Sequence, residues 1–214
     1  MTEAMLRQQL VDEYRELGDD GLLALSTGNL SCRFGSGMLI TASGISATSI
    51  SVDNIVRLSL RGENDSALKP SSEWQMHAAV YRAFPDTQSV VHTHSDHCVA
   101  VASHGKDLPG FHYMIGMLGS DHVPCVNYHT FGTAELADAS VQGLQSCRAC
   151  LLANHGMLSK GNDLSDAAQA ARLLELLCKQ YLLSLCLGPP AKLSGVQWAD
   201  FFEQMKRTAY RAVQ

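Results

Sequence analysis

The stretch LSCRFGSGMLIT (residues 30–41) decides the fold class. Two short apolar runs, Leu30 to Phe34 and Met38 to Thr41, flank a glycine-containing turn of hairpin length. Because a hairpin joins antiparallel strands, the fold is not a simple doubly wound parallel one. Strand-length apolar runs alternate with helix-period segments along the rest of the chain, and we find no internal repeat. We therefore expect one α/β domain over residues 1–214, with a mixed, partly antiparallel sheet.

The same patterns predict the other elements. The helix at 164–187 has the clearest signals, since Asp163 and Ser165 offer capping oxygens and Gly188 is followed by two prolines. Further helices are predicted at 2–17, 72–84, 95–104, 133–145 and 195–210. Further strands are predicted at 22–26, 55–60, 89–94, 124–126, 150–153 and 157–159.

Composition excludes several classes of partner. The 214 residues carry a net charge of -5 and no cluster of Lys and Arg, so we expect no nucleic-acid partner. The longest apolar stretch, residues 173–187, is interrupted by Glu175 and Lys179, which argues against a membrane span. Seven cysteines scattered in apolar runs are typical of reduced, buried thiols, so we expect a cytoplasmic protein. Only 17% of the residues are charged, which suggests that copies of the chain cover part of its surface.

Two histidines in VVHTHS (residues 90–95) form half of a candidate metal site. His92 and His94 are two residues apart on a predicted strand, so their imidazoles point to the same side. His155 in LLANHGML also follows an apolar run. Three imidazoles with an open fourth position are typical of a catalytic zinc site. Spacing alone leaves open the alternative that His92 and His94 are simply half-buried polar side chains.

KPSSEW (residues 69–74) forms a candidate anion site. Pro70 begins a predicted helix, and Ser71 and Ser72 place hydroxyl and N–H groups at its positive end, with Glu73 in the first turn. The local sequence alone is more consistent with ordinary helix capping. Similar neutral donors stand in two other glycine turns, which would suit an anion held without Arg or Lys. These are Ser26 and Asn29 in STGNLS, and Ser43 and Gly44 in TASGIS.

These motifs together resemble the zinc-dependent class II aldolase/adducin family. The resemblance runs from about residue 6 to residue 210, and within the family it is closest to bacterial aldolases that act on L-fuculose 1-phosphate. It implies a three-layer α/β/α domain with a central mixed, largely antiparallel sheet. The matching segments are TGNLS (27–31), ITASGI (40–45), KPSSEW (69–74), VVHTHSDHC (90–98), HYMIG (112–116), VPCVNYHTFGTAEL (123–136) and LLANHGML (151–158).

The resemblance also implies a role for each candidate residue. His92, His94 and His155 would bind Zn²⁺, Glu73 would be the acid/base, and Tyr113 would reach the site of a neighbouring subunit as a proton donor. The assembly would be a homotetramer with active sites at subunit interfaces. The phosphate would be held by Ser26, Asn29, Ser43, Gly44, Ser71 and Ser72, and Phe131 would help to wall the aldehyde end.

The C-terminal segment departs from the family pattern. Residues 196–214 would form a helix and tail near the active site, and Tyr210 would replace a family tyrosine after a shift of one residue. In the family this tail closes over the aldehyde. The departure would therefore affect which aldehyde is accepted rather than the chemistry of the reaction.

The implied reaction is reversible cleavage of a ketose 1-phosphate to dihydroxyacetone phosphate and a short aldehyde such as lactaldehyde. The substrate would be L-fuculose 1-phosphate or a related deoxyketose 1-phosphate, or alternatively 5-deoxyribulose or 5-methylthioribulose 1-phosphate in a salvage pathway. Pentulose-5-phosphate 4-epimerase and sugar-acid phosphate decarboxylase activities are less consistent with Glu73, because family epimerases usually carry aspartate there. A non-enzymatic, adducin-like module would be expected to lack the histidines that are present here.

Overall fold

A seven-stranded sheet lies between two layers of helices in the computed structural model, which describes residues 1–64 and 66–208. The strands are β1 Asn29–Phe34, β2 Gly37–Thr41, β3 Ile55–Ser59, β4 Ser89–Thr93, β5 Cys125–Val126, β6 Ala149–Leu152 and β7 Gly156–Gly161. The helices are α1 Glu3–Asp19, α2 Trp74–Ala83, α3 Asp96–Ala102, α4 Ala134–Gly143, α5 Leu164–Ser184 and α6 Gly195–Arg207. Short 3-10 turns cover Val52–Asn54, Tyr113–Leu118 and Leu185–Leu187.

The strand order is β3-β2-β1-β4-β7-β6-β5. Every neighbouring pair is antiparallel except β5 and β6, which are parallel. The expectation of a mixed, largely antiparallel sheet is therefore confirmed. The β1–β2 hairpin pairs Phe34 with Gly37 and turns through Gly35, whose φ is 57°. A Cβ on Gly37 would lie 2.3 Å from the carbonyl oxygen of Leu58, so β2 and β3 can pair closely only with glycine there.

Both faces of the sheet are buried. Helices α1, α3 and α5 cover one face and α2 and α4 cover the other, which gives the three-layer arrangement. Successive residues of β4 serve opposite cores: Val91 packs in the layer of α1 and α5, and Val90 in the layer of α2. Each fully buried Val or Leu contributes roughly 1.5–3 kcal/mol. Because β4 lies in the middle of the sheet and is packed on both faces, the strand that carries His92 and His94 is held firmly in place.

The predicted strand at 22–26 is wrong. This segment is a series of turns, in which Leu25 has a φ of 58° and is exposed. Leu22 and Leu23 are buried against the core, and the N–H of Leu22 donates to the carbonyl of Leu17 at the end of α1. The apolar run therefore anchors the end of a helix rather than pairing in the sheet. The predicted helix at 164–187 also divides into α5 and a 3-10 turn.

Within residues 1–64 and 66–208, no helix has both the length and the apolar character needed to cross a bilayer.

Candidate active site

Three imidazoles meet at one end of the sheet. His92 and His94 come from the end of β4, and His155 comes from the turn between β6 and β7. Their ring centroids are 4.8–4.9 Å apart and their planes differ by 73–76°, so the three rings surround a common point. The Nε2 atoms of His92 and His94 are 2.9 Å apart. The structure thus brings together the three histidines that the sequence analysis singled out.

The turn that carries His155 depends on two unusual backbone positions. Asn154 has a φ of 55°, in the left-handed region. A Cβ on Gly156 would lie 2.3 Å from the carbonyl oxygen of Thr93, so only glycine lets this turn approach β4. The sequence Asn-His-Gly therefore brings the His155 ring beside the two histidines of β4.

Glu73 adds a carboxylate to the three imidazoles. Its Oε2 lies 3.0 Å from Nε2 of His92, and its Oε1 lies 3.1 Å from Nε2 of His155. The residue occupies the N-cap position of α2 rather than the first turn expected from the sequence. One candidate ligand atom from each of these four residues lies within 4.8 Å of the others. The carboxylate thus lies beside the point that the three imidazoles surround.

The donor set fits a divalent transition metal. Oε1 of Glu73 is buried and has no hydrogen-bond partner among the described residues. Nδ1 of His92 lies 2.7 Å from the carbonyl oxygen of Met157, so Nδ1 carries the proton and Nε2 keeps a lone pair. Imidazole nitrogen and carboxylate oxygen are the ligand atoms that Zn²⁺ accepts in proteins. These four residues can therefore hold a metal ion.

The electrostatics of the cluster keep its groups in different charge states. Burial raises the pKa of Glu73, but the His92 and His155 imidazoles outweigh burial and hold that pKa well below its usual range. Burial lowers the pKa of His92, and the neighbouring Glu73 carboxylate outweighs it and raises that pKa. Burial and the two other imidazoles lower the pKa of His94 to about 4. Glu73 is therefore an anion and His94 a neutral ring near pH 7.

A cavity of about 330 Å³ opens beside this cluster. The polar donors predicted to hold a phosphate all line it, together with Phe131, Glu73, His94 and His155. The predicted donors are Ser26, Asn29, Ser43, Gly44, Ser71 and Ser72.

Two loops of this cavity are held together by backbone hydrogen bonds. The N–H of Ser43 donates to the carbonyl of Lys69, and the N–H of Ser71 donates to the carbonyl of Thr41. The hydroxyl of Ser71 also accepts the N–H of Glu73 at 3.3 Å, which fixes the start of α2. The cavity therefore meets the positive end of a helix and is lined by neutral hydroxyl, amide and backbone groups, an arrangement suited to an anion.

Six further residues line the cavity that the sequence analysis did not assign to the site. They are Thr27, Gly28, Ala42, Tyr128, His129 and Asn154. Each is adjacent to, or within three residues of, a predicted site residue, so proximity along the chain was the available signal.

Tyr113 lies outside the cavity of its own chain. It begins the 3-10 turn Tyr113–Leu118, stacks on His112 with a centroid distance of 4.9 Å, and remains 54% exposed. Its ring is 6.0 Å from that of Phe201, which belongs to α6. None of the described α6 residues lines the cavity, and Tyr210 lies outside the described residues. Within one chain, Tyr113 and the C-terminal helix are therefore not brought together with Glu73.

Comparison with known proteins gives one consistent result. Residues 8–182 match the family described as "Class II Aldolase and Adducin N-terminal domain". The chain is 39% identical over 188 residues to the L-fuculose phosphate aldolase of Haemophilus influenzae, covering 88% of this chain and 87% of that protein. It is 38% identical over 201 residues to the 5-methylthioribulose-1-phosphate/5-deoxyribulose-1-phosphate aldolase of Rhodospirillum rubrum, covering 94% and 91%. A solved structure titled L-fuculose 1-phosphate aldolase superposes with a TM-score of 0.90 at 32% identity, covering 96% of this chain and 98% of that one.

Proposed function

Because the chain belongs to the class II aldolase and adducin family, we propose that it is a Zn²⁺-dependent aldolase. Its reaction is the reversible cleavage of a ketose 1-phosphate to dihydroxyacetone phosphate and a short aldehyde such as lactaldehyde. L-fuculose 1-phosphate, or a related deoxyketose 1-phosphate, is the substrate. The observation that carries this proposal is the Glu73–His cluster at the wall of a cavity lined by neutral anion-binding groups.

We assign His92, His94 and His155 as the ligands of Zn²⁺. Three neutral imidazoles leave the ion its full charge, and a bound Zn²⁺ supplies Lewis-acid stabilisation of negative charge that develops on substrate oxygens. Glu73 lies beside these ligands, with its carboxylate oxygens 3.0 and 3.1 Å from the Nε2 atoms of His92 and His155.

The neutral donors of the cavity bind the phosphate group. Ser71 and Ser72 precede α2, so the partial positive charge of that helix end favours a phosphate there. Asn29 lies closer to the cluster, since its Nδ2 atom is 3.1 Å from Oε2 of Glu73. A phosphate at the serines therefore orients the rest of the substrate toward the metal ligands.

Glu73 moves the proton at the substrate carbon next to the carbonyl. General acid/base catalysis needs a group within hydrogen-bond reach of that carbon, and Glu73 lines the cavity beside His94 and His155. Burial raises its pKa, but the two adjacent imidazoles outweigh burial and keep the carboxylate ionised and therefore able to accept a proton.

Tyr113 acts in the site of a neighbouring subunit. Its exposed ring lies outside its own cavity, as expected if a second copy of the chain completes the site. There it donates a proton to the aldehyde oxygen in synthesis and withdraws it in cleavage. The assembly proposed is a homotetramer with active sites between subunits, in the cytoplasm.

A salvage aldolase acting on 5-methylthioribulose or 5-deoxyribulose 1-phosphate is the second candidate. The 38% identity to the Rhodospirillum rubrum enzyme is close to the 39% identity to the Haemophilus influenzae enzyme. Both reactions would use the same metal ligands, phosphate site and Glu73, and they differ in the aldehyde. We assign Phe131, which lines the cavity, to the wall at the aldehyde end.

A cleavage assay distinguishes these candidates. The zinc-loaded protein is offered L-fuculose, 5-deoxyribulose and 5-methylthioribulose 1-phosphates, and dihydroxyacetone phosphate is measured with an NADH-dependent reductase. Release that stops on chelation supports the aldolase, and the ratio of kcat/KM values names the substrate. No release from any of the three by protein with stoichiometric zinc overturns the proposal.

A further inference from the structure

Strand β1 and helix α2 are joined by a ladder of buried polar side chains. Asn29 and Ser31 are two residues apart on β1, and Glu73, His77 and Tyr81 are four residues apart on α2 and its N-cap. Four residues of α-helix rise about 6 Å and two residues of a strand about 6.6 Å, so the two rows can stay in register. Polar groups on one element therefore alternate with those on the other.

The ladder is a continuous chain of hydrogen bonds that ends at Glu73. The oxygen of Tyr81 lies 2.8 Å from Oγ of Ser31, which lies 2.7 Å from Nδ1 of His77. Nε2 of His77 lies 2.5 Å from Oδ1 of Asn29, and Nδ2 of Asn29 lies 3.1 Å from Oε2 of Glu73. All five residues are buried, with His77 and Ser31 at 0% exposure.

The chemistry of these groups fixes the direction of every proton in the chain. An ionised carboxylate only accepts hydrogen bonds, so Asn29 must turn its NH₂ toward Glu73 and its oxygen toward His77. That oxygen also only accepts, so Nε2 of His77 carries the hydrogen. The neutral ring then accepts at Nδ1 from Ser31, whose hydroxyl in turn accepts from Tyr81. Each donation therefore points toward Glu73.

The environment of His77 agrees with a neutral ring. Burial, and secondarily the His92 ring, lower the pKa of His77 to about 3. An unprotonated Nδ1 is therefore available to the Ser31 hydroxyl throughout the neutral pH range.

We propose that His77 is a positioning residue of the active site and acts through Asn29. Its Nε2–H holds the Asn29 amide in the one orientation that gives Glu73 a donor and leaves the second amide N–H for the cavity that Asn29 lines. Without that N–H, the buried oxygen of Asn29 loses its donor, and the amide is no longer held where its N–H groups meet the carboxylate and a bound phosphate. The inference deepens the proposed function and rests on it for the roles of Glu73 and of the phosphate site.

Two amide variants separate this role from simple packing. In His77→Gln the side-chain amide can place an N–H near the Nε2 position, whereas in His77→Asn the shorter side chain reaches only the Nδ1 position. Both variants bury one amide, so they carry similar desolvation costs. Val80→Ala is the matched control, because Val80 is a buried residue of α2 that lies outside the chain of hydrogen bonds.

The first measurement is binding of inorganic phosphate to the metal-free protein by calorimetry. We expect the Kd of His77→Asn to rise about 10-fold, the size of effect expected when a buried hydrogen-bonding group loses its partner, with His77→Gln and Val80→Ala within about 2-fold of wild type. An equal loss in His77→Gln, His77→Asn and Val80→Ala would mean a packing role and would overturn the inference. Because this titration involves no turnover, it decides on His77 even if the protein cleaves none of the three substrates.

The second measurement is kcat of the zinc-loaded enzyme in a double-mutant cycle. We expect His77→Asn to lower kcat about 10- to 100-fold, and to have almost no further effect in an Asn29→Ala background, because the two residues act as one unit. Additive losses would show that His77 does not act through Asn29.

A third measurement needs no variant. In ¹⁵N spectra of the histidine side chains of the wild-type protein, we expect His77 to be neutral with its hydrogen on Nε2. A charged ring, or a hydrogen on Nδ1, would reverse the donor to Asn29 and overturn the inference even if every His77 variant failed to fold.

Discussion

Oε1 of Glu73 lies 3.1 Å from Nε2 of His155 and is otherwise without a hydrogen-bond partner among the described residues. A buried carboxylate oxygen left this way costs free energy unless a cation or a donor satisfies it. The other oxygen, Oε2, is satisfied by Asn29. The unsatisfied oxygen is therefore the one beside His155, where a metal ion held by the imidazoles would compensate its charge.

The first prediction concerns metal removal. Chelation is expected to abolish cleavage and to lower the Tm, because an ion that binds only the folded state at 100 times its Kd stabilises that state by about 2.7 kcal/mol. His155→Ala is expected to reduce bound zinc to well below one equivalent per chain, while His104→Ala, at an exposed site, keeps it. Metal analysis and calorimetry with and without added Zn²⁺ check this. A Tm that is insensitive to chelation would contradict the metal assignment.

The second prediction concerns Glu73→Gln. Glutamine keeps the shape of the side chain but is a poor base, so turnover is expected to fall at least about a hundredfold, as for lost acid/base groups. The three imidazoles and the serines remain, so zinc content and phosphate affinity should stay within about twofold of wild type. Steady-state kinetics and phosphate titration measure the two effects, with Glu63→Gln as an exposed control. Wild-type turnover in Glu73→Gln would remove Glu73 from the mechanism.

The hairpin and the site motifs were readable from the sequence because their signals are local. A glycine turn between two apolar runs predicted β1 and β2, and alternation on a strand predicted that His92 and His94 share a side. The approach of His155 to these two residues could be anticipated only from its position after an apolar run and from the family resemblance. Its close packing depends on Gly156 passing the backbone of Thr93, which is a tertiary contact.

Two features were beyond local patterns. The run Leu22 to Ser26 has the composition of a strand. In the folded chain its leucines are buried against the end of α1, and among the described residues no strand pairs with it. His77 has no distinguishing neighbours along the chain, and the sequence analysis left it unassigned. Its significance comes from facing Asn29 and Ser31 across 46 or more residues of sequence. Contacts of that separation follow from the fold rather than from any motif.

The third prediction tests whether Tyr113 works in a neighbouring subunit. Tyr113→Phe and Glu73→Gln proteins are each expected to be nearly inactive, whereas subunits mixed after unfolding and refolding together should recover activity. With equal random mixing, about a quarter of the interfacial sites receive both an intact Glu73 and an intact Tyr113. As the control, each variant is unfolded and refolded on its own. If mixing restores no activity although mixed oligomers form, then Tyr113 does not complete a neighbour's site.

The fourth prediction concerns Glu175, which holds the helix that follows the metal-binding strand. Its Oε2 accepts the N–H of Cys98 at 2.9 Å, and its Oε1 accepts the N–H of His97 at 3.1 Å and lies 2.6 Å from Nδ1 of that residue. Both N–H groups belong to the first turn of α3, where they have no acceptor within the helix. The side chain of the N-cap residue, Ser95, makes no capping bond to them. A carboxylate from α5 therefore fills the capping role directly after His94.

The charge of Glu175 sets the pH dependence of this contribution. Burial raises the pKa of Glu175, but the donors from His97, Ser95 and Cys98 outweigh burial and lower that pKa below its ordinary value of 4.5. A lowered pKa in the folded state means that the stabilisation is complete above about pH 4.5 and is lost as the pH falls through the folded-state pKa. At pH 7, Glu175→Gln is expected to lower the free energy of unfolding by about 1–2 kcal/mol, as for lost helix caps and charged hydrogen bonds.

The difference between wild type and Glu175→Gln should narrow as the pH falls to about 3, because the wild-type carboxyl then becomes neutral as well. Urea unfolding at pH 7 and at successively lower pH values measures it, with Glu203→Gln on the exposed side of α6 as the control. Since α3 begins two residues after His94, the variant should also bind zinc more weakly at pH 7. A stability difference that stays constant with pH would mean that the shape of the side chain, rather than its charge, holds α3 in place.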